Sequence, residues 1–159
     1  MSDLAAQIHD LLMARRQTVA TAESLTAGLV AAALTETPGA SATYRGGLVV
    51  YATDLKAALA GVSLELLEER GAVDSEVARQ LALGARERIA ADWGIGLTGV
   101  AGPDPQDGQP VGTVYVGLAG PDGLSTVTAA RLDGDRGAIR AACVELALTL
   151  ARDALTEAE

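Results

Sequence analysis

The sequence predicts an α/β domain, a three-layer α/β/α sandwich built on a mixed, mostly parallel sheet. Three observations carry this expectation. Segments with apolar residues at helical spacing alternate with short apolar runs of strand length. The first strand is followed by a helix and then a second buried strand, the βαβ-like order that favours a parallel pair. Late in the chain, two strand-like segments flank the turn Gly120-Pro121-Asp122-Gly123, which adds an antiparallel hairpin. At 159 residues the chain has the usual size of one core, and residues 1–159 are read as a single domain.

Taken in order, Ser2 is placed to cap a first helix reaching Arg16, with Leu4, Ile8, Leu11 and Leu12 on its apolar stripe. Gln17 to Ala22 reads as a short strand. Leu25 to Thr35, rich in alanine, reads as a helix stopped near Pro38-Gly39. Tyr44 to Ala52 holds the apolar run Leu48 to Tyr51 and reads as a buried strand. Thr53 to Ala60 is a short helix closed by Gly61, and Ser63 caps another that ends at Gly71. Ser75 to Asp92 is a longer helix, with Val77, Leu81, Ala85 and Ile89 at four-residue steps. Gly94 to Thr98 is a strand opening into a Gly/Pro/Asp loop, Gly99 to Pro110. Thr113 to Ala119 and Ser125 to Leu132 form the hairpin. Gly134-Asp135-Arg136-Gly137 then leads into a terminal helix to about Thr156.

Composition excludes several function classes. Twelve Lys+Arg against 21 Asp+Glu give a net charge of -9, which argues against a basic face for nucleic acid or anionic lipid. Trp93 is the only tryptophan and there is no phenylalanine, so a stacking platform for nucleic-acid bases is poorly supplied. No run approaches the roughly 18 apolar residues of a membrane span. The first residues lack the basic and apolar regions of a secretory signal, so a cytoplasmic location is expected. One histidine and one cysteine cannot by themselves supply a multi-His or multi-Cys zinc site. His9 falls on the first helix, away from any strand-end loop, and Cys143 reads as a small buried hydrophobe of the last helix. The twelve bases divide into eleven arginines and one lysine, Lys56. Arginine cannot be deprotonated in a protein, whereas a desolvated lysine can become a neutral amine near pH 7. On count alone, Lys56 is either such a titratable amine or an exposed lysine without a role.

Ligands of open α/β sheets gather beyond the carboxyl ends of the strands, and three segments land there. In Ala22 to Gly28 a strand turns into a helix and presents Ser24 near exposed N–H groups; a serine there suits an N-cap or a nucleophile with its oxyanion donors alongside. Tyr51 and Lys56 lie five residues apart across a strand end and the next helix. They are either a core residue and a solvated lysine, or partners of Ser24, with neutral Lys56 taking the serine proton directly or through Tyr51. The loop from Thr98 through Gly99, Ala101 and Gly102 has the glycines that let backbone N–H groups approach a phosphate or carboxylate. Its length of about twelve residues suits a functional loop. It is neither a P-loop nor a dinucleotide fingerprint. Arg45 and Arg136 are the loop arginines suited to a phosphate, and Arg136 equally suits a local ion pair.

Ala22-Glu-Ser-Leu-Thr-Ala-Gly28, Gly46-Gly-Leu-Val-Val-Tyr51 with Lys56, Gly71-Ala-Val-Asp-Ser75, Thr98-Gly-Val-Ala-Gly-Pro103 and Pro110-Val-Gly-Thr-Val114 together resemble the CinA C-terminal domain family, in the family's order and over nearly the whole chain. The resemblance implies an α/β/α fold, no metal or other cofactor, homo-oligomers, and hydrolysis of the carboxamide of nicotinamide mononucleotide to nicotinic acid mononucleotide and ammonia. The family's serine, tyrosine and lysine match Ser24, Tyr51 and Lys56; Thr26, Gly28, Arg45, Thr98, Gly99, Ala101, Gly102 and Arg136 are the expected substrate contacts. Where the family commonly reads A-E-S-C-T-G-G, this chain has Leu25 and Ala27, and Gln109 replaces a frequent lysine. Ala27 adds a methyl where substrate could approach the backbone. On this resemblance a stand-alone form is expected, without the N-terminal domain of many relatives. A second reading is a nucleotide- or partner-binding module that has lost turnover. A short-chain dehydrogenase is disfavoured, because its Y-x-x-x-K spacing would need lysine at Leu55.

Overall fold

In the computed structural model, which describes residues 1–158, the strand-like runs become β1 (Val19–Glu23), β2 (Tyr44–Val49), β3 (Trp93–Gly99), β4 (Thr113–Ala119) and β5 (Ser125–Arg131), joined in one sheet of order β2-β1-β3-β4-β5. β2 and β3 pair parallel to β1, while β4 is antiparallel to both β3 and β5. Four strands therefore point one way and β4 alone runs against them, the mixed, mostly parallel sheet that the sequence implies. Glu23 pairs with Val49 on one side and Leu97 on the other, so the three parallel strands end level and their following loops open at one edge.

The helices are α1 (Ser2–Arg15), α2 (Leu29–Thr35), α3 (Thr53–Ala60), α4 (Leu64–Arg70), α5 (Ser75–Ile89) and α6 (Arg136–Glu157). Strand alternation sends neighbouring side chains to opposite faces and so builds two cores. Val19, Ile95, Leu97, Val114, Val116 and Leu118 face the layer of α1, α2 and α6. Ala20 and Ala22 face the layer of α3, α4 and α5 together with Val50, Val77 and Leu81. The second face is built of small residues because α5 lies almost on the strand backbone. A Cβ on Gly96 would stand 2.7 Å from both Ala78 O and Leu81 Cβ, and Gly94 and Gly117 are closed in the same way by the Ala82 and Ala78 carbonyls.

Several boundaries differ from the sequence reading, among them the end of α5 at Ile89 instead of Asp92 and the start of β1 at Val19 instead of Gln17, and three of the differences have identifiable reasons. Ser2 is the first residue inside α1 rather than its cap, and Met1 precedes the helix without a side-chain bond. The helix expected from Leu25 begins only at Leu29, because Ala27 (φ 46°) and Gly28 (φ 97°) are left-handed and turn the chain first. β2 stops at Val49 instead of continuing to Ala52. Val50 still donates to Glu23 O, but the carbonyls of Val50 and Tyr51 turn to the amine of Lys56. Thr53–Ala60, its closing Gly61 and the cap of α4 by Ser63 Oγ on Leu66 N stand where expected.

Candidate functional site

The level ends of β1, β2 and β3 place the chemistry. Ser24 follows directly on β1, where its N–H donates to Leu97 O and holds it to the tip of β3. Its hydroxyl oxygen lies 3.0 Å from Lys56 Nζ, and both residues are buried, at 7% and 1% exposure. Lys56 comes from the first turn of α3, whose packing draws the side chain beneath the β2 end. There the amine also donates to Val50 O at 2.8 Å and Tyr51 O at 3.1 Å. Burial without a paired carboxylate lowers the Lys56 pKa to about 8, against an opposing pull from the Asp107 carboxylate. The two carbonyls can take both hydrogens of a neutral amine, leaving the lone pair for the serine hydroxyl.

The turn behind Ser24 is organised by a residue the sequence reading left without a role. Glu23, 1% exposed, accepts from Thr26 Oγ1 (2.7 Å), Val30 N (2.9 Å) and Ala31 N (3.1 Å), so its carboxylate caps α2. Ser24 is accordingly not the N-cap. Ala27 N bonds back to Ser24 O and Leu29 N to Thr26 O. The N–H groups of Leu25 and Thr26 are left without an acceptor among the described residues. Arg140 of α6 anchors the turn by donating from Nε to Leu25 O at 2.8 Å.

A cleft opens over Ser24, lined by Leu25, Tyr51, Gly99 to Gly102, Asp104, Gln106 and Arg136. Of the expected substrate contacts, Gly99, Ala101, Gly102 and Arg136 reach it and the others do not. Thr26 is fully buried against Glu23, and Gly28 forms the left-handed cap of α2. Thr98 is also buried, its hydroxyl donating to Ala72 O at 2.7 Å, so it ties the strand end to the chain before α5 rather than facing the cleft. Arg45 sits at the start of β2, at the opposite end of the sheet, and donates to Ile89 O at 3.0 Å. Ala27 is exposed outside the cleft lining, so its methyl bears on backbone conformation and not on substrate approach.

Tyr51 also differs from expectation. Its backbone carbonyl, not its phenol, meets Lys56; the phenol oxygen accepts from Arg136 Nη2 at 3.1 Å, and the side chain lines the cleft with the residue 58% exposed. A proton relay from serine to lysine through the phenol therefore has no path, and the direct contact replaces it. Arg136, the first residue of α6, also donates to Gly102 O, at 2.6 Å. A cation at a helix N-terminus opposes the helix dipole, so these contacts hold a charge where helix electrostatics alone would not. Asp107 accepts from Ala72 N at 2.9 Å and pins the long loop.

The remaining candidates stand apart from the cleft. His9 bonds through Nδ1 to Thr43 Oγ1 at 2.8 Å, and the buried Cys143 thiol is pushed up to about 12 by desolvation. Among the described residues no group of three or more His, Cys, Asp or Glu stands where it could hold a metal ion. No helix there is long and apolar enough to cross a membrane.

Comparison with known proteins agrees with this architecture. A CinA-like protein of Frankia casuarinae is 53% identical over 142 residues, covering 89% of this chain and 33% of that protein. A putative competence-damage inducible protein of Streptococcus agalactiae is 40% identical over 97% of the chain and 37% of its own length, so the chain spans about a third of the curated relatives it matches. Among solved structures, the competence/damage inducible protein CihA of Agrobacterium tumefaciens superposes with TM-score 0.92 at 38% identity, covering 98% of this chain and 94% of that one. A CinA superfamily protein of Klebsiella pneumoniae superposes with TM-score 0.93 at 30% identity and 98% coverage of both chains. The model of the CinA C-terminal domain matches residues 1–155, and the chain belongs to that family.

Proposed function

We propose that the chain is a serine amidase that hydrolyses the carboxamide of nicotinamide mononucleotide to nicotinic acid mononucleotide and ammonia. The observation that carries this reading is the buried 3.0 Å contact between Ser24 Oγ and an amine whose pKa is lowered to about 8. Neutral Lys56 takes the hydroxyl proton as Ser24 Oγ attacks the amide carbon, and the N–H groups of Leu25 and Thr26 receive the developing oxyanion. The lysine ammonium returns its proton to the departing nitrogen, releasing ammonia and leaving an acyl-serine ester. Water then attacks the ester with Lys56 again as base, and as the C–O bond to Ser24 breaks the lysine ammonium returns the proton to Ser24 Oγ and the acid leaves. Arg136 meets the phosphate at the rim of the cleft. The same reading takes the enzyme as a cytoplasmic homo-oligomer without metal or nucleic-acid partner, and the exposed apolar side chains Val49, Leu55 and Leu59 favour self-association.

The test is ammonia release from nicotinamide mononucleotide. Ser24→Ala and Lys56→Arg, the latter keeping the charge but not the titratable amine, are each expected to lower kcat/KM by at least about 10³-fold. Near-normal release by Lys56→Arg would sink the mechanism. Binding of the nucleotide by the unaltered protein without release would identify a binding module.

A further inference from the structure

Three carbonyls follow one another through the serine turn, and two of them are held from within it. Ser24 O accepts from Ala27 N and Thr26 O from Leu29 N. Leu25 O has no backbone donor among the described residues; it accepts from Arg140 Nε, at 2.8 Å, across 115 positions of sequence. Arg140 lies one turn beyond Arg136 in α6, half-buried, and belongs to none of the three ion pairs formed among the described residues. Its charge is directed at a neutral carbonyl. Holding a loop in place needs only a neutral donor, which would lose less hydration than a cation does.

What this contact controls lies on the other side of the same peptide. Leu25 O and Thr26 N–H belong to one planar trans unit and point in opposite directions, so a carbonyl fixed by Arg140 fixes where the N–H points. Thr26 is fully buried, its hydroxyl is turned to Glu23, and its N–H has no acceptor among the described residues. A buried, unpaired N–H is costly, and a donor kept for an oxyanion accounts for it. A charged donor on the carbonyl also polarises the peptide and strengthens the N–H on its far side. We infer that Arg140, which does not line the cleft, is a positioning residue that aims and strengthens the Thr26 N–H through the Leu25–Thr26 peptide. The inference rests on the reading of Ser24 as nucleophile. Acylation and deacylation each form an oxyanion at this place. Arg140 therefore acts on both steps and leaves KM, which depends on the ratio of their rates, in place.

The experiment measures kcat and KM for ammonia release from nicotinamide mononucleotide by the unaltered protein, Arg140→Met and Arg140→Lys. Methionine keeps an unbranched stem without donor or charge, while lysine keeps the charge. Arg140→Met is expected to lower kcat about thirtyfold with KM unchanged within about twofold, and Arg140→Lys to recover most of that loss. A packing role alone would move KM or the melting temperature and would not separate the two variants. The inference is overturned by a kcat within about twofold of the unaltered value in Arg140→Met, by a loss that falls on KM, or by equal losses in both variants. If Arg140→Met lacks a cooperative melt, Arg140→Gln, which also removes the charge, takes its place. Acylation by para-nitrophenyl acetate reads the same step without nucleotide recognition. There Ser24 Oγ bonds to the acetyl carbon, the bond to nitrophenolate breaks, and the hydroxyl proton passes to Lys56. Nitrophenol release that is abolished in Ser24→Ala, with no ammonia from the nucleotide, means that the substrate reading fails by itself, and the acylation rates of the same variants then decide Arg140. If the unaltered protein releases neither product, Ser24 is no nucleophile and the inference falls with it.

Discussion

The only lysine in the chain is its largest fully buried side chain, and no carboxylate forms an ion pair with it among the described residues. A buried ammonium is costly, and three acceptors around Nζ reduce that cost without a countercharge. Activity requires the neutral amine, and deprotonation follows rising pH, so kcat/KM should climb through an apparent pKa near 8 and level off above it. A flat profile between pH 6 and 9 would remove Lys56 as the base. Asp107 favours the ammonium, so Asp107→Asn should move the rising limb to lower pH, read from the same profile. The solitary lysine was legible by count. Its neighbours were not, since the two carbonyls that orient it belong to a strand end expected to pair on as sheet. Glu23 was equally hidden, because its three donors come from residues three, seven and eight positions ahead, on a helix whose start the sequence placed too early.

At the scale of elements, helix and strand identities follow from apolar periodicity, and the misplaced boundaries fall where the site is built. Residues 25–28 have the composition of a helix, yet Ala27 and Gly28 take left-handed conformations and Glu23 caps the chain only from Leu29 on. Tertiary contacts outweigh an intrinsic preference of under about 1 kcal/mol per residue. The close seating of α5 on the sheet was also illegible. Gly94, Gly96 and Gly117 each leave room for helix backbone, a need that appears only once α5 is packed on the sheet. Gly96→Ala puts a methyl against Ala78 O and Leu81 Cβ and should destabilise the protein by about 3 kcal/mol. A thermal melt should show a loss of about 9 °C. An unchanged melting temperature would mean that α5 can shift away from β3 without loss.

For the whole molecule, the decisive fact is direction. Parallel pairing of β1, β2 and β3 brings Ser24, Tyr51 and the Gly99–Gly102 loop to one edge, and α6 returns there with Arg136. Arg45, five residues before the β2-to-α3 connection begins at Val50, is carried to the other edge. Arg136→Ala is therefore expected to raise KM for the phosphorylated amide about tenfold, while Arg45→Ala leaves kcat and KM within twofold. Steady-state kinetics on the two variants check this, and the reverse pattern would reassign the phosphate. Periodicity, turn chemistry and residue type are local properties, and they suffice for the layered α/β fold, the loops that gather at the strand ends, and the pair Ser24 and Lys56 as candidates. It takes the packed chain to turn the phenol of Tyr51 to Arg136 and not to the lysine, to set Thr26, Gly28 and Thr98 behind the site, and to bring Glu23 and Arg140 onto the serine turn. Those assignments depend on which groups from distant elements fill the same few ångströms, and that is settled by strand direction and helix packing rather than by any stretch of sequence.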